Sequence, residues 1–273
     1  MYNRKFAGFL TNFILVILSM LLIYPTVLAF FSSFKSLSDL LGKPVALLPG
    51  QFTLDAWKGL FAATPAFRWL GNGLLISVLG MVLNVVVCVP AAYVFARSTS
   101  KFVKFFFNLV VATVMLPLAA YLVPLYTVVA KLGLLNTYLS VALPISESVF
   151  GIFFLTQSFK NVPAYYEEAA IVDGCTQIQG FLRIFLPIVK NSLITIAIFT
   201  FIWKWNSFLW PLMVLNDANK FPLTLGIATA VGNDISWMNS LMAGAIFTIM
   251  PIVIMFIMFQ RYISGSNVLS GSK

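Results

Sequence analysis

The chain has 273 residues, of which 60% are hydrophobic and 9% charged, with mean hydropathy +0.97. A soluble domain is about 25% charged, so these few charges cannot coat a water-facing surface, and a soluble enzyme is excluded. The 17 Lys and Arg against 8 Asp and Glu give a net charge of +9, read here as a membrane-orientation signal and not as a nucleic-acid footprint.

Histidine is absent, which removes the commonest metal ligand and the commonest general base. Cys88 and Cys175 lie far apart in unlike surroundings and suggest neither a disulfide framework nor a zinc site. No catalytic residue and no metal ligand is therefore assigned.

A hydrocarbon core of ~30 Å takes about 20 apolar residues as a helix. Six stretches meet this, and the chain reads as an all-α membrane protein with spans near 9–31, 70–95, 105–130, 137–156, 193–214 and 241–260. Arg4 and Lys5 precede the first span as they would a signal peptide. Its apolar run is too long and lacks a clear small-residue cleavage site, so it reads as a retained helix. Pro117, Pro124 and Pro144 are expected to kink spans three and four.

Loop charges set the orientation. Segments 1–8, 97–104, 157–192 and 261–273 hold ten Lys or Arg in 65 residues, whereas 32–69, 131–136 and 215–240 hold six in 70. The first set is expected in the cytoplasm, together with both termini. The external loop 32–69 reads either as a connector or as a docking surface for an extracytoplasmic partner.

The cytoplasmic segment 157–192 carries three of the eight acids, Glu167, Glu168 and Asp173. Pro163 suits a first helical turn, and Ala164 to Ile171 reads as a helix with acids near its positive end. Gly174 is a helix stop, and Thr176 with Gln179 fits a capping box that starts a second short helix. Pro187 closes the unit. The prediction is a helix–turn–helix elbow outside the membrane, with Ala169 and Ala170 making one surface small and smooth.

At this point a family resemblance emerges. Glu168-Ala169-Ala170, three residues, Gly174, nine residues, then Ile184-Phe185-Leu186-Pro187 resembles the EAA loop of ABC importer permeases. The segment Trp205-Asn206-Ser207-Phe208-Leu209-Trp210-Pro211-Leu212 resembles one in sugar permeases, and Asn72, Ala91-Ala92-Tyr93 and Ala96-Arg97 resemble their second span. Gln260-Arg261-Tyr262 resembles their end. The chain looks most like the shorter, six-helix permease of maltose-type importers, a type I ABC importer permease fold. It departs from the family at Cys175, Asn191 and Ser207, and in its tail, residues 265–273.

The resemblance implies a coupling helix that inserts into a cytoplasmic ATPase. Glu168, Ala169, Ala170 and Gly174 would form the joint, supported by Glu167 and Asp173 and closed by Ile184, Leu186 and Pro187. It also implies a second permease subunit, an ATPase dimer carrying ATP and Mg, and an extracytoplasmic solute-binding protein, all within the bacterial cytoplasmic membrane and its lipid. The chain has no phosphate-binding G-x-x-x-x-G-K-[ST] run, so no cofactor is expected on it.

Two charges fall inside the expected spans, Glu147 and Lys204, each about 15 Å from the external end and near the midplane. Intramembrane charges cost at least about 2.5–3.5 kcal/mol and face a partner or a cavity. They are expected to pair, to line the translocation path together, or to face separate partners. Trp203, Asn206 and Trp210 fall on one face of a continuous span five. They read either as a sugar-stacking surface or as packing aromatics.

Two other function classes compete. A self-sufficient secondary carrier would need its own coupling-ion site and usually an internal repeat. A membrane enzyme would need a polar cluster in the spans. The sequence shows none of these clearly.

Overall fold

A computed structural model of the protein describes residues 2–144, 148–231 and 237–264. Among them every regular element is helical. In chain order these are α1 (Tyr2–Ser32), α2 (Leu37–Gly42), α3 (Asp55–Ala63), α4 (Ala66–Arg97), α5 (Lys101–Ala112), α6 (Leu118–Lys131), α7 (Tyr138–Ala142) and α8 (Ser148–Lys160). There follow α9 (Tyr165–Val172), α10 (Gln177–Gly180), α11 (Leu186–Ile188), α12 (Lys190–Trp205), α13 (Leu209–Val214), α14 (Leu223–Val231) and α15 (Met238–Ser264).

Three of these contain stretches long and apolar enough to cross a bilayer: Gly8–Ser32, Ala66–Arg97 and Met238–Gln260. Two bent pairs bring the number to five if each pair is one span. Backbone chemistry explains the bends. Span three, expected to run unbroken from 105 to 130, stops at Ala112 and passes through a 3-10 turn, Thr113–Met115. Pro117 has no N–H to give the preceding turn and holds Leu116 extended (φ −77°, ψ 119°), so a new helix must start after it. Pro124, within α6, does not end that helix.

Span five also differs from expectation. Its helix begins at Lys190, after a 77° bend from the preceding segment, and ends at Trp205. Residues 206–208 leave the helix, and α13 resumes at Leu209. The expected fourth span, 137–156, shows α7 and α8 on either side of residues 145–147, which are outside the described set.

The described chain forms two compact units. One comprises Met1–Phe67 and Gly226–Pro251. In it α1 presents apolar side chains outward over residues 9–24, which suits lipid contact. The loop after α1 closes on Lys35, a fully buried lysine whose Nζ donates to the carbonyls of Lys43 (3.2 Å) and Ala46 (2.6 Å). Asp39 accepts the Gly50 N–H at 2.8 Å and completes the closure. Phe34, Trp57, Phe61 and Phe247 follow one another in ring contact.

The other unit comprises Arg68–Leu225 and Ile252–Lys273. Its core has two parts. Cys88, Val89 and Ala92 of α4 meet Ile152, Leu155 and Phe159 of α8 together with Phe185, Val189 and Ile196. Ile76, Val129 and Val141 meet Trp210, Val214 and Leu215. At 32 residues α4 is about 48 Å long, more than the ~30 Å hydrocarbon core, so both its ends reach polar layers.

Candidate functional site: the elbow, the buried lysine and the clasp

The elbow forms as its local sequence dictates. Ala164 caps α9, one residue later than the sequence suggested, a shift within the normal uncertainty of helix ends. At the other end Gly174 takes φ +75°, a left-handed conformation that costs glycine little. The Cys175 N–H donates to the Ala170 carbonyl (2.9 Å) and the Gly174 N–H to that of Ile171 (3.0 Å). Together these two bonds make a Schellman stop.

The Thr176 hydroxyl accepts the Gln179 N–H (3.3 Å), while the Gln179 carbonyl oxygen accepts the Thr176 N–H (2.9 Å). This reciprocal box starts α10. A π-helical turn, Phe181–Phe185, then delivers the chain to Pro187. The wider turn lets the Leu186 N–H reach the Phe181 carbonyl just before the proline that cannot donate.

The motif residues divide between two faces. Glu168, Ala169 and Asp173 are exposed, and Glu167 is half-buried. Ala170 corrects the expectation of a smooth surface made by both alanines: it is 5% exposed and faces Gly180, where an added Cβ would lie 3.9 Å from its own. Its small size serves the internal packing of the elbow. The outward apolar surface comes instead from Ile171, Val172 (85% exposed) and Ile178 (71%). Ile184 and Leu186 are half-buried and Pro187 is exposed. Phe185, at the variable position of the closing motif, is buried. Hydrogen bonding with Tyr166 raises the phenol of exposed Tyr165, at the root of α9, above its ordinary value.

One arginine fastens the elbow. Arg97, the last residue of α4, donates from one guanidinium nitrogen to the carbonyls of Phe159 (3.1 Å) and Val162 (3.0 Å). Its guanidinium carbon lies 4.5 Å from the centre of the Phe185 ring, and Nε lies 3.8 Å from the Glu167 carboxylate. The carbonyls it caps lie in the last turn of α8 and just beyond it, where a cation is favoured. Tyr93, one turn earlier, packs on Phe159, Phe181 and Phe185 with ring centres 4.7–5.5 Å apart. Topology alone accounts for a basic residue at position 97, so sequence reasoning did not separate Arg97 from its neighbours. The Ala96-Arg97 pair in the family resemblance was the available signal.

Lys204 is 8% exposed. Its Nζ donates to the carbonyls of Val141 (3.3 Å) and Pro144 (2.5 Å), at and just beyond the end of α7. The stem lies against Gly80 of α4, where an added Cβ would come within 2.9 Å of Cγ and Cε. Glu147, the expected partner of Lys204, lies outside the described residues, as do Asp234 and residues 265–273.

Trp203, Asn206 and Trp210 do not share one helical face, because α12 ends between them. Trp203 is exposed on α12 and meets the Phe150 ring edge-on, centres 5.7 Å apart. Asn206 caps that helix. Trp210 is buried in α13 and donates its indole N–H to the Ser140 carbonyl (2.9 Å).

The opposite end of α4 carries a clasp that the sequence did not reveal. Trp69 donates to the Ala218 carbonyl (2.7 Å), and Arg68 donates to the Asn219 side-chain oxygen (2.6 Å). Asn72 donates to the carbonyls of Asn219 (2.8 Å) and Phe221 (3.0 Å) and accepts the Tyr138 hydroxyl (2.9 Å). Asn136, at φ +58°, accepts the N–H groups of Asn216 and Asp217 on its side chain. Its own N–H goes to Val214, and its carbonyl accepts Lys220 Nζ.

Trp69 and Arg97 are 28 residues apart on one helix, about 42 Å. The elbow and the clasp therefore hold the two ends of a membrane-length rod.

The fold and the motif together define a membrane permease component. Residues 59–266 match the model of the family described as the binding-protein-dependent transport system inner membrane component, and the chain belongs to that family. It is a transport subunit and not an enzyme.

Among its relatives is the arabinooligosaccharides transport system permease protein AraQ of Halalkalibacterium halodurans, 35% identical over 92% of this chain and 91% of the relative. The diacetylchitobiose uptake system permease protein NgcG of Streptomyces coelicolor is 29% identical over 97% and 88%. The sn-glycerol-3-phosphate transport system permease protein UgpE of Yersinia pestis is 29% identical over 95% of both chains. A chain in the crystal structure of a bacterial ABC transporter involved in the import of the acidic polysaccharide alginate superposes with TM-score 0.81 over 96% of this chain and 98% of its own, at 22% identity. At that identity it establishes the shared fold.

Proposed function

We propose that this chain is the six-span permease subunit of an ATP-driven importer that passes a sugar or oligosaccharide into the cell. It works beside a second permease subunit, with an ATPase dimer on the cytoplasmic side and a solute-binding protein on the other. The termini and the elbow lie in the cytoplasm, and ATP and Mg are held by the ATPase. The relatives named for arabinooligosaccharides and diacetylchitobiose support a carbohydrate substrate, and the one named for sn-glycerol-3-phosphate keeps a polyol phosphate within range.

The observation that carries this reading is the two-faced elbow. Its outer face offers Glu168 beside the exposed apolar tip of Ile171, Val172 and Ile178, a shape and charge suited to a cleft on another protein. Its inner face is continuous with the ends of α4 and α8 through Arg97, Tyr93, Phe159 and Phe185. A push on the tip therefore reaches the ends of membrane helices without passing through a flexible joint. Trp203 and Asn206 lie toward the solute path, whereas Lys204 and Trp210, committed to backbone carbonyls, hold its wall.

The test is Glu168→Ala, reconstituted with its partners. ATP-driven uptake should fall at least tenfold while the protein stays folded and abundant. Undiminished uptake would sink the coupling role. Uptake that proceeds without ATP hydrolysis would favour the secondary carrier instead.

A further inference from the structure

We propose that a bay at the junction of α4 and α5 binds the phosphate headgroup of an anionic phospholipid, with an acyl chain in the apolar cleft that adjoins it. The inference rests on the membrane orientation given above. The bay has a volume of about 520 Å³ and is lined by Arg97, Ser98, Thr99, Lys104, Asn108 and Lys160 among others. Three basic residues, two hydroxyl residues and an asparagine line this space, and no acidic residue lines it. Glu167 reaches Arg97 only at Nε, 3.8 Å away.

The start of α5 adds a second argument. A helix N-terminus carries partial positive charge and is ordinarily furnished with acids. Here the first turn has no acid, the Ser100 side chain makes no capping bond, and Lys101 and Lys104 sit in or beside that turn. Cations in this position raise the local potential unless an anion occupies it. A phosphate, which accepts hydrogen bonds from lysine, arginine and hydroxyl donors, matches the site.

A free phosphate would satisfy the bay equally well, and the adjoining cleft decides for a lipid. Asn108 also lines an apolar cleft of about 600 Å³ formed by Val111, Ala112 and Met115 with Phe150 and Phe153 of α8. From Lys104 to Met115 the helical path is roughly 18 Å, a little over half of the ~30 Å hydrocarbon core. The pair of sites thus spans one leaflet with a charged head and an apolar tail. Lys160 rests 5.3 Å from the Phe107 ring centre, at the boundary between the two.

Native mass spectrometry of the assembled transporter in detergent, titrated with phosphatidylglycerol or phosphatidylcholine, tests the proposal. Phosphatidylglycerol should be retained in preference. Lys104→Gln should weaken its retention about fivefold, and the double variant with Lys160→Gln about 25-fold. Lys131→Gln, which does not line the bay, should leave retention unchanged. All three lysines are exposed, so the variants should fold as the parent does.

Equal retention of phosphatidylcholine, full retention by the double variant, or displacement of the lipid by millimolar inorganic phosphate would each overturn the proposal. Because this titration reads binding without turnover, it stands apart from the uptake test. The orientation is scored separately by labelling Thr99→Cys, in a Cys175→Ser background, with an impermeant thiol reagent. Labelling from the outer face would overturn the orientation, while the detergent titration would still report on the bay.

Discussion

The two ends of α4 are held in opposite ways. At the clasp, Trp69, Asn72 and Asn136 distribute the load over several hydrogen bonds to the backbone of residues 216–221. At the elbow the Arg97 guanidinium and the Tyr93 ring join α4 to the end of α8 and to Phe185, while the tip beyond them stays exposed. The clasp is built to resist movement. On the proposed function, the elbow presents a surface and passes movement through this small cluster of side chains.

The sharpest way to break this contrast is at Arg97. Replacing it with alanine strips two carbonyls of a charged donor and leaves Glu167 without its cation, an expected loss of about 3 kcal/mol. The thermal midpoint in detergent should drop by several degrees, and coupled uptake should fail. If Arg97→Ala melts like the parent, Arg97 is not the fastening that this contrast requires.

Gly80→Ala should cost about 2 kcal/mol. The added methyl would meet the Lys204 stem at 2.9 Å, and the stem cannot swing aside while Nζ is bound to Val141 and Pro144. Ala and Ser at position 80, compared by thermal unfolding, should rank by side-chain size.

Asn136→Ala should cost about 1.5 kcal/mol, because the left-handed residue keeps its Cβ penalty and loses the side-chain amide that offsets it. Asn136→Gly should recover part of that loss. If the clasp is the stiffer region, the effect should appear in hydrogen exchange as opening of residues 215–222. Gly174→Ala, at φ +75°, should cost only about 1 kcal/mol and act locally. Proteolysis at the elbow tip should accelerate while the global midpoint hardly moves.

How much was legible follows from how local each signal is. The elbow's stop at Gly174 and its box at Thr176 and Gln179 each depend on residues within five positions of one another, so the sequence displays them. The break at Pro117 is equally local. The interruption of span five after Trp205 is not, because residues 206–208, Asn-Ser-Phe, carry no proline, glycine or charge to mark a break.

The clasp joins residues near 70, 136 and 218, about 65 to 150 positions apart, and polar side chains at the ends of apolar runs look alike before folding. Arg97 was hidden for a different reason. Its charge was already explained by topology, and its four partners, Phe159, Val162, Glu167 and Phe185, lie more than 60 residues away.

The π turn at Phe181–Phe185 has a consequence for how the elbow is aimed. Each residue of an α-helix advances the chain by about 100° about its axis. One residue more or fewer between the capping box and α12 therefore changes the compass bearing of the tip and leaves its chemistry unaltered. The turn acts as a phase adjuster. If the elbow docks as proposed, lengthening or shortening this segment alone would re-aim it toward a differently shaped partner while Glu168 and its neighbours stay as they are.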